Sequence, residues 1–288
     1  MSFDHALRTT GFASSIEIPL TANTSTDQLL AMAKSVDATA DAVFVPDNRF
    51  SHVHASPVSV CAVLLNNGIA PIMELGCRHR NRVALISELL GARTLGVESL
   101  LLVRGKKAPQ EFLSQKKYVV DTNVTELLGT ARNINHDYEL PESKPFTIGS
   151  NVTAHDPQLH WNPERLKQKI QNGCQFVLTQ ICLDASVLER YVEHLVSHNL
   201  LQKVSLIVSA ATFPSYQSLE QLLKDRTHLI ISDQNIARLK SARNPEQETV
   251  KVCTEFLQAA KDIPGVSGVH LYGDDVSLNV AALAQAMA

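Results

Sequence analysis

The chain lacks any run of the ~18 consecutive apolar residues that a membrane-spanning helix needs, and its opening, MSFDHALRTTGF, has no apolar signal segment. A soluble protein is the expectation. Cysteine is sparse: Cys61, Cys77, Cys174, Cys182 and Cys253 are odd in number, widely spaced and mostly set in apolar runs. That pattern argues against a disulfide framework or a CxxC metal site and fits a reducing cytoplasm. Neither sign of charge dominates, since the formal net charge is -3 and the basic residues are scattered. Such a balance gives no pull toward nucleic acid or an acidic membrane, so the expected partner is a small molecule. Both common nucleotide fingerprints, GxGxxG after a first strand and GxxxxGK[ST], are missing. No Ser-His-Asp or Cys-His arrangement stands out, which makes covalent catalysis a poor fit. His52, His54 and His79 near Cys77 are irregularly spaced, so no metal centre is expected. Aromatic residues are scarce at 5%, against 44% hydrophobic residues overall, as suits aliphatic strands covered by helices.

What is present is a repeat of short apolar, β-branched runs separated by segments of helical period. Eight such runs are read: 15–20 (SIEIPL), 42–46, 71–77, 99–105, 146–152, 176–182, 204–210 and 268–273. Near-continuous hydrophobicity means that both faces of each strand are buried, as in a parallel sheet. Helices are expected at 26–36, 82–95, 122–133, 163–172, 187–198 and 248–260. Asn162-Pro163 reads as a cap with proline at the first helical position, and Gly96 and Gly173 stand where helices should stop. Eight right-handed βα repeats in 288 residues predict one (β/α)₈ TIM barrel, a single domain over 1–288. An open doubly wound sheet is the alternative. A homo-oligomer is compatible with this fold, although no exposed apolar stripe marks an interface.

Barrel sites lie at the carboxyl ends of the strands, and that rule selects the candidates. Glu17 sits inside SIEIPL, where burial raises a carboxyl pKa toward general-acid duty; a structural salt bridge is the other reading. Asp47 and Asn48 follow the second strand, either to hold a polar ring or as ordinary turn residues. After the third strand, Cys77, Arg78, His79, Arg80, Asn81 and Arg82 lead into a helix, an arrangement suited to a diphosphate or to an exposed basic turn. Arg104, Gly105 and Lys106 end the fourth strand, where glycine permits close approach and the cations meet an anion. They open the longest connection, Lys106 to Lys144, and long loops on this face are usually functional. Thr179 and Gln180 end the sixth strand, fit for a planar heterocycle or for satisfied interior bonds, and His270 and Tyr272 on the last strand face the same choice.

Two stretches carry a family resemblance: GCRHRNRVALISELLGARTLGVESLLLVRG, and FTIGSNVTAHD followed by ERLKQKIQNGCQFVLTQICLD. In order, spacing and strand position they resemble the methylenetetrahydrofolate reductase family, especially the reductase module fused to homocysteine methyltransferases, over nearly the whole chain. The resemblance implies that Glu17 is the general acid toward a reduced folate. Gln180, with Thr179, Asp47, Asn48, Lys106 and Tyr272, would bind that substrate. It implies FAD as cofactor, contacted by Cys77, Arg78, Arg80, Asn81, Arg104, Gly105, Asn151 and Lys169, with NADH or NADPH as electron donor. The implied activity is reduction of 5,10-methylenetetrahydrofolate to 5-methyltetrahydrofolate. Departures cluster at the flavin. The family's RGD reads Arg104-Gly105-Lys106, its HLTC reads Glu74-Leu75-Gly76-Cys77, and VPDNRF replaces TxGAGG. YPE.HP survives only as Asn151–Asp156 and HFYTLN only as His270–Asp275. Lys106 then either stabilises an anionic reduced flavin, contacts the folate glutamate tail, or marks the loss of the flavin. The alternatives are a flavin-free tetrahydrofolate enzyme moving a methyl or methylene group, or a non-catalytic folate-binding relative.

Overall fold

The computed structural model describes residues 2–48, 53–105, 119, 121–137, 144–157, 161–225 and 228–288. The apolar runs form parallel strands β1 (Ala13–Glu17), β2 (Ala42–Val45), β3 (Pro71–Gly76), β4 (Ser99–Val103), β5 (Thr147–Val152), β6 (Phe176–Leu183) and β7 (Ser205–Ala211). After them come a two-residue β8 (Ile230–Ile231) and then β9 (Val266–Tyr272). Neighbours pair in the order β5-β4-β3-β2-β1-β9-β7-β6, and β5 also pairs with β6, Gly149 opposite Phe176. The ring is therefore closed: an eight-stranded parallel barrel, as the eight runs predict. β8 pairs with the end of β6 outside that ring.

Helices follow the strands: α1 (Phe3–Thr9) before the barrel, then α2 (Thr26–Asp37), α3 (Pro57–Leu65), α4 (Arg82–Leu95), α5 (Val124–Asp137), α6 (Glu164–Gln171) and α7 (Ala185–Ser197). Past β7 lie α8 (Tyr216–Asp225), α9 (Asp233–Ser241) and α10 (Pro245–Asp262), and α11 (Val276–Met287) closes the order. Their boundaries have local causes. Ser25 and Gln28 form a reciprocal capping box at α2, Asp184 and Asp275 cap α7 and α11, and Gly96 stops α4 at φ 89°. The start read at Asn162-Pro163 shifts by one: α6 begins at Glu164, with Pro163 at the cap and no side-chain cap bond. No helix among the described residues is long and apolar enough to cross a membrane.

Two apolar layers result from the period-2 alternation of the strands. Ala13, Phe44, Ile72, Leu101, Phe176, Leu178 and Ile207 fill the barrel interior, while Ile16, Val43, Met73, Leu102 and Val208 face the helices. Gly149 makes room for the inner layer, because a Cβ there would lie 2.2 Å from the Phe176 ring. At the amino-terminal end α1 plugs the barrel: Phe3 meets Phe176 edge to face at 5.1 Å, and Asp4 accepts from the Thr147 hydroxyl.

Candidate active site

Strand alternation decides which side chains reach the mouth. Ala13 belongs to the inner layer and Ile16 to the outer, so Glu17, in step with Ala13 and Ser15 along the period-2 pleat, faces inward; it is 2% exposed. Ile16 pairs with Leu271, and Glu17 and Tyr272 are the next and last residues of β1 and β9. One layer below, Ser15 Oγ is 2.8 Å from His270 Nδ1, and the imidazole lies between Phe44 and Tyr272 at 4.7 and 4.3 Å. The buried carboxyl thus stands on a polar and aromatic floor at the carboxyl end of β1.

A second carboxylate organises the β2 and β3 ends. Asp47, 5% exposed, takes a two-pronged bond from Arg80 at 2.6 and 3.0 Å, and accepts from the Gly76 amide at 2.8 Å and the Asn48 amide group at 2.9 Å. Its own N–H donates to Glu74 at 3.1 Å. Burial disfavours the charge on Arg80, but the bond and charge of Asp47 outweigh it and raise the guanidinium above its usual range. Asn48 holds a left-handed φ of 51°, with its N–H donating to His54 Nε2 at 3.0 Å.

Gln180 sits where β6 is irregular against β7, between Leu178 and Ile181, and bulges commonly re-aim side chains beside active sites. Its amide donates to the Ala154 carbonyl at 2.7 Å and accepts from the Ala154 amide at 2.8 Å, tying β6 to the segment after β5. Thr179 is 1% exposed and exchanges bonds with Ser209, which puts it in the β6–β7 seam and not at the mouth. Lys169 donates to the Asn151 carbonyl oxygen, and burial lowers its ammonium pKa. The Cys77 thiol points to the Arg104 carbonyl at 3.8 Å within the outer layer, and burial raises its pKa. Asn81 caps α4 through a bond from the Ala84 amide, so its side-chain oxygen serves the helix. Arg78 is partly buried with its N–H on the Arg104 carbonyl, while Arg104 is exposed at the rim and Gly105 adopts φ 81°. Lys106 lies outside the described residues.

A pocket opens at the ends of β6, β7 and β9, lined by Ile181, Thr212, Phe213, Leu222, Tyr272 and Asp274 among others. Tyr272 joins it to the strand pair that carries Glu17. Sequence reading named Tyr272 but missed Thr212, whose hydroxyl donates to the buried Asn279 at 2.8 Å. The signal was available, because Thr212 lies two residues past the seventh apolar run, where the carboxyl-end rule applies. Glu74, noted above only as a departure from a motif, is the acceptor that orients Asp47. Among the described residues no group of three or more His, Cys, Asp or Glu side chains is placed to hold a metal ion.

Comparison with known proteins bears on this arrangement. A family model described as methylenetetrahydrofolate reductase matches residues 3–286. A probable methylenetetrahydrofolate reductase (NADPH) of Caenorhabditis elegans is 24% identical over 226 residues, 75% of this chain and 32% of the relative. The chain thus spans about a third of the length of that relative. A Clostridium thermocellum protein that binds two copies of 5-methyl-5,6,7,8-tetrahydrofolic acid superposes with TM-score 0.67 at 13% identity, over 99% of this chain and 98% of its own. A 2,3-dimethylmalate lyase of the PEP mutase/isocitrate lyase superfamily aligns with TM-score 0.52 at 10% identity, over 98% and 84%. These two establish the fold alone. With nearly its entire length matched, and Glu17 facing into the barrel at the end of its first strand, the chain belongs to the methylenetetrahydrofolate reductase family.

Proposed function

We propose that the carboxyl face binds a reduced folate and that the chain reduces 5,10-methylenetetrahydrofolate to 5-methyltetrahydrofolate, with Glu17 as proton donor. The observation that carries this reading is the buried, inward-facing Glu17 beside Tyr272, in a barrel matched to the family from end to end. A general acid must stand within reach of the ligand, and Glu17 is a carboxyl inside the barrel at the end of β1. Opening the five-membered ring requires a proton on the departing nitrogen, and that is the step Glu17 serves. The C. thermocellum protein of the same fold, with its two bound methylfolates, supports a folate as the ligand class.

Tyr272 and the apolar wall of Phe213, Ile181 and Leu222 offer a flat surface for the aryl part of a folate. Gln180 acts in this reading through its grip on Ala154, which fixes the wall across the mouth. Replacing Glu17 with Gln keeps the shape and removes the proton. Turnover should then fall by ~10²–10⁴, while calorimetric binding of 5-methyltetrahydrofolate stays within about twofold. A turnover loss of under about twofold would take Glu17 out of the mechanism.

A further inference from the structure

The residues that the family resemblance assigns to a flavin are, for the most part, bonded to the protein itself. Arg80 gives both terminal nitrogens to Asp47, and one of them also reaches the Gly76 carbonyl at 3.1 Å. Asn81 caps its own helix, Lys169 holds the Asn151 carbonyl, and the Cys77 thiol lies in the outer apolar layer against the Arg104 carbonyl. Donors that already hold bonds must lose them before they make new ones, so Arg80 and Lys169 have little to offer a second partner.

The space between the strand ends tells the same story. A Cβ on Gly76 would stand 3.0 Å from the Gly105 Cα and 3.2 Å from the Asp47 carboxylate. Glycine at these positions lets two backbones touch. It leaves no slot between them for a ring. The Asp47–Arg80 pair closes the same side, with Asp47 oriented by Glu74, which stands where the resemblance would place a histidine. Among the described residues, the engaged Arg80 and Lys169 and the closed Gly76–Gly105 contact do not fit a flavin.

From this we infer that the chain acts on its folate without a flavin, the hydride passing directly from a reduced nicotinamide to the one-carbon unit. The inference rests on the folate reading above. The bond from the bridging methylene carbon to N10 breaks, and N10 takes that electron pair together with the Glu17 proton. The hydride leaves C4 of the dihydronicotinamide with its electron pair and forms the new C–H bond of the methyl group on N5. The nicotinamide is oxidised by two electrons, the one-carbon unit is reduced by two, and water returns the proton to Glu17.

The experiment uses the full chain, purified and kept anaerobic, with no flavin added. Methylenetetrahydrofolate is supplied with NADH or NADPH deuterated at C4, each face of the ring in turn. The expected protein is colourless, without the oxidised-flavin band near about 450 nm, and it turns over with deuterium retained in the product methyl group. A yellow protein, turnover that needs added flavin, or a methyl group that carries no label from either face of the ring overturns the inference, because a flavin relay exchanges its proton with water. Bound 5-methyltetrahydrofolate with no turnover from either nicotinamide also overturns it. Failure to bind 5-methyltetrahydrofolate at all would instead remove the folate reading beneath it, and calorimetry on the same sample separates the two results.

Discussion

At His54 the backbone dictates a protonation state. Its Nδ1 lies 2.8 Å from the Ala55 carbonyl and its Nε2 accepts from the Asn48 amide, so the ring must be neutral with its proton on Nδ1. Burial lowers the pKa below its usual 6.5, against smaller opposing effects of the Ala55 carbonyl and the Asp47 charge. The unfolded chain therefore takes up a proton at a higher pH than the folded chain does. This group's contribution to stability is complete above 6.5 and is lost as the pH falls from there toward the lower folded value. Melting temperatures at about pH 7.5 and about pH 5.5 should show a smaller acid loss in His54→Gln than in the parent chain, since glutamine still accepts from Asn48 without titrating. Equal losses would mean that the clip at Asn48 does not sense pH. None of this was legible in the sequence, where Asp47-Asn48 reads equally well as a solvated turn, because the bond joins residues six apart with no periodic pattern to announce it.

Elements were far more legible than such contacts. Each of the eight apolar runs is a strand, since burial on both faces leaves a continuous signal that needs no partner to be recognised. α1 was not read, and the reason is physical. Seven residues cannot show a helical period convincingly or form a stable helix alone, so this one exists through its dock at the barrel floor. The stretch between β7 and β9 was similarly under-read, because β8 is two residues long and α8 and α9 are short. The docking account of α1 makes a direct prediction. Phe3 is 1% exposed against Phe176, so Phe3→Ala should cost about 3–5 kcal/mol in denaturant unfolding. Binding of 5-methyltetrahydrofolate should survive wherever the variant stays folded, because Phe3 sits at the end of the barrel opposite the mouth. An unmoved midpoint would show that the plug contributes nothing.

For the whole molecule, a closed barrel separates a face that holds the fold from a face that can do chemistry. The carboxyl-end rule was enough to select Glu17 and Tyr272 as separate candidates from sequence, but bringing their strand ends together takes the β1–β9 register of the folded barrel. It could not foresee that Asp47 and Arg80, 33 residues apart, would neutralise each other, or that Gln180 would clasp Ala154, 26 residues away. Loop geometry decides those pairings, and it decides which donors remain for a ligand. The central claim is that a reduced folate binds at the carboxyl face. Hydrogen–deuterium exchange of the full chain, with and without saturating 5-methyltetrahydrofolate, tests it most directly. Slowed exchange is predicted just after β1, β2, β3, β7 and β9, and none in α1; protection confined to the amino-terminal end, or no protection at saturation, would contradict the account.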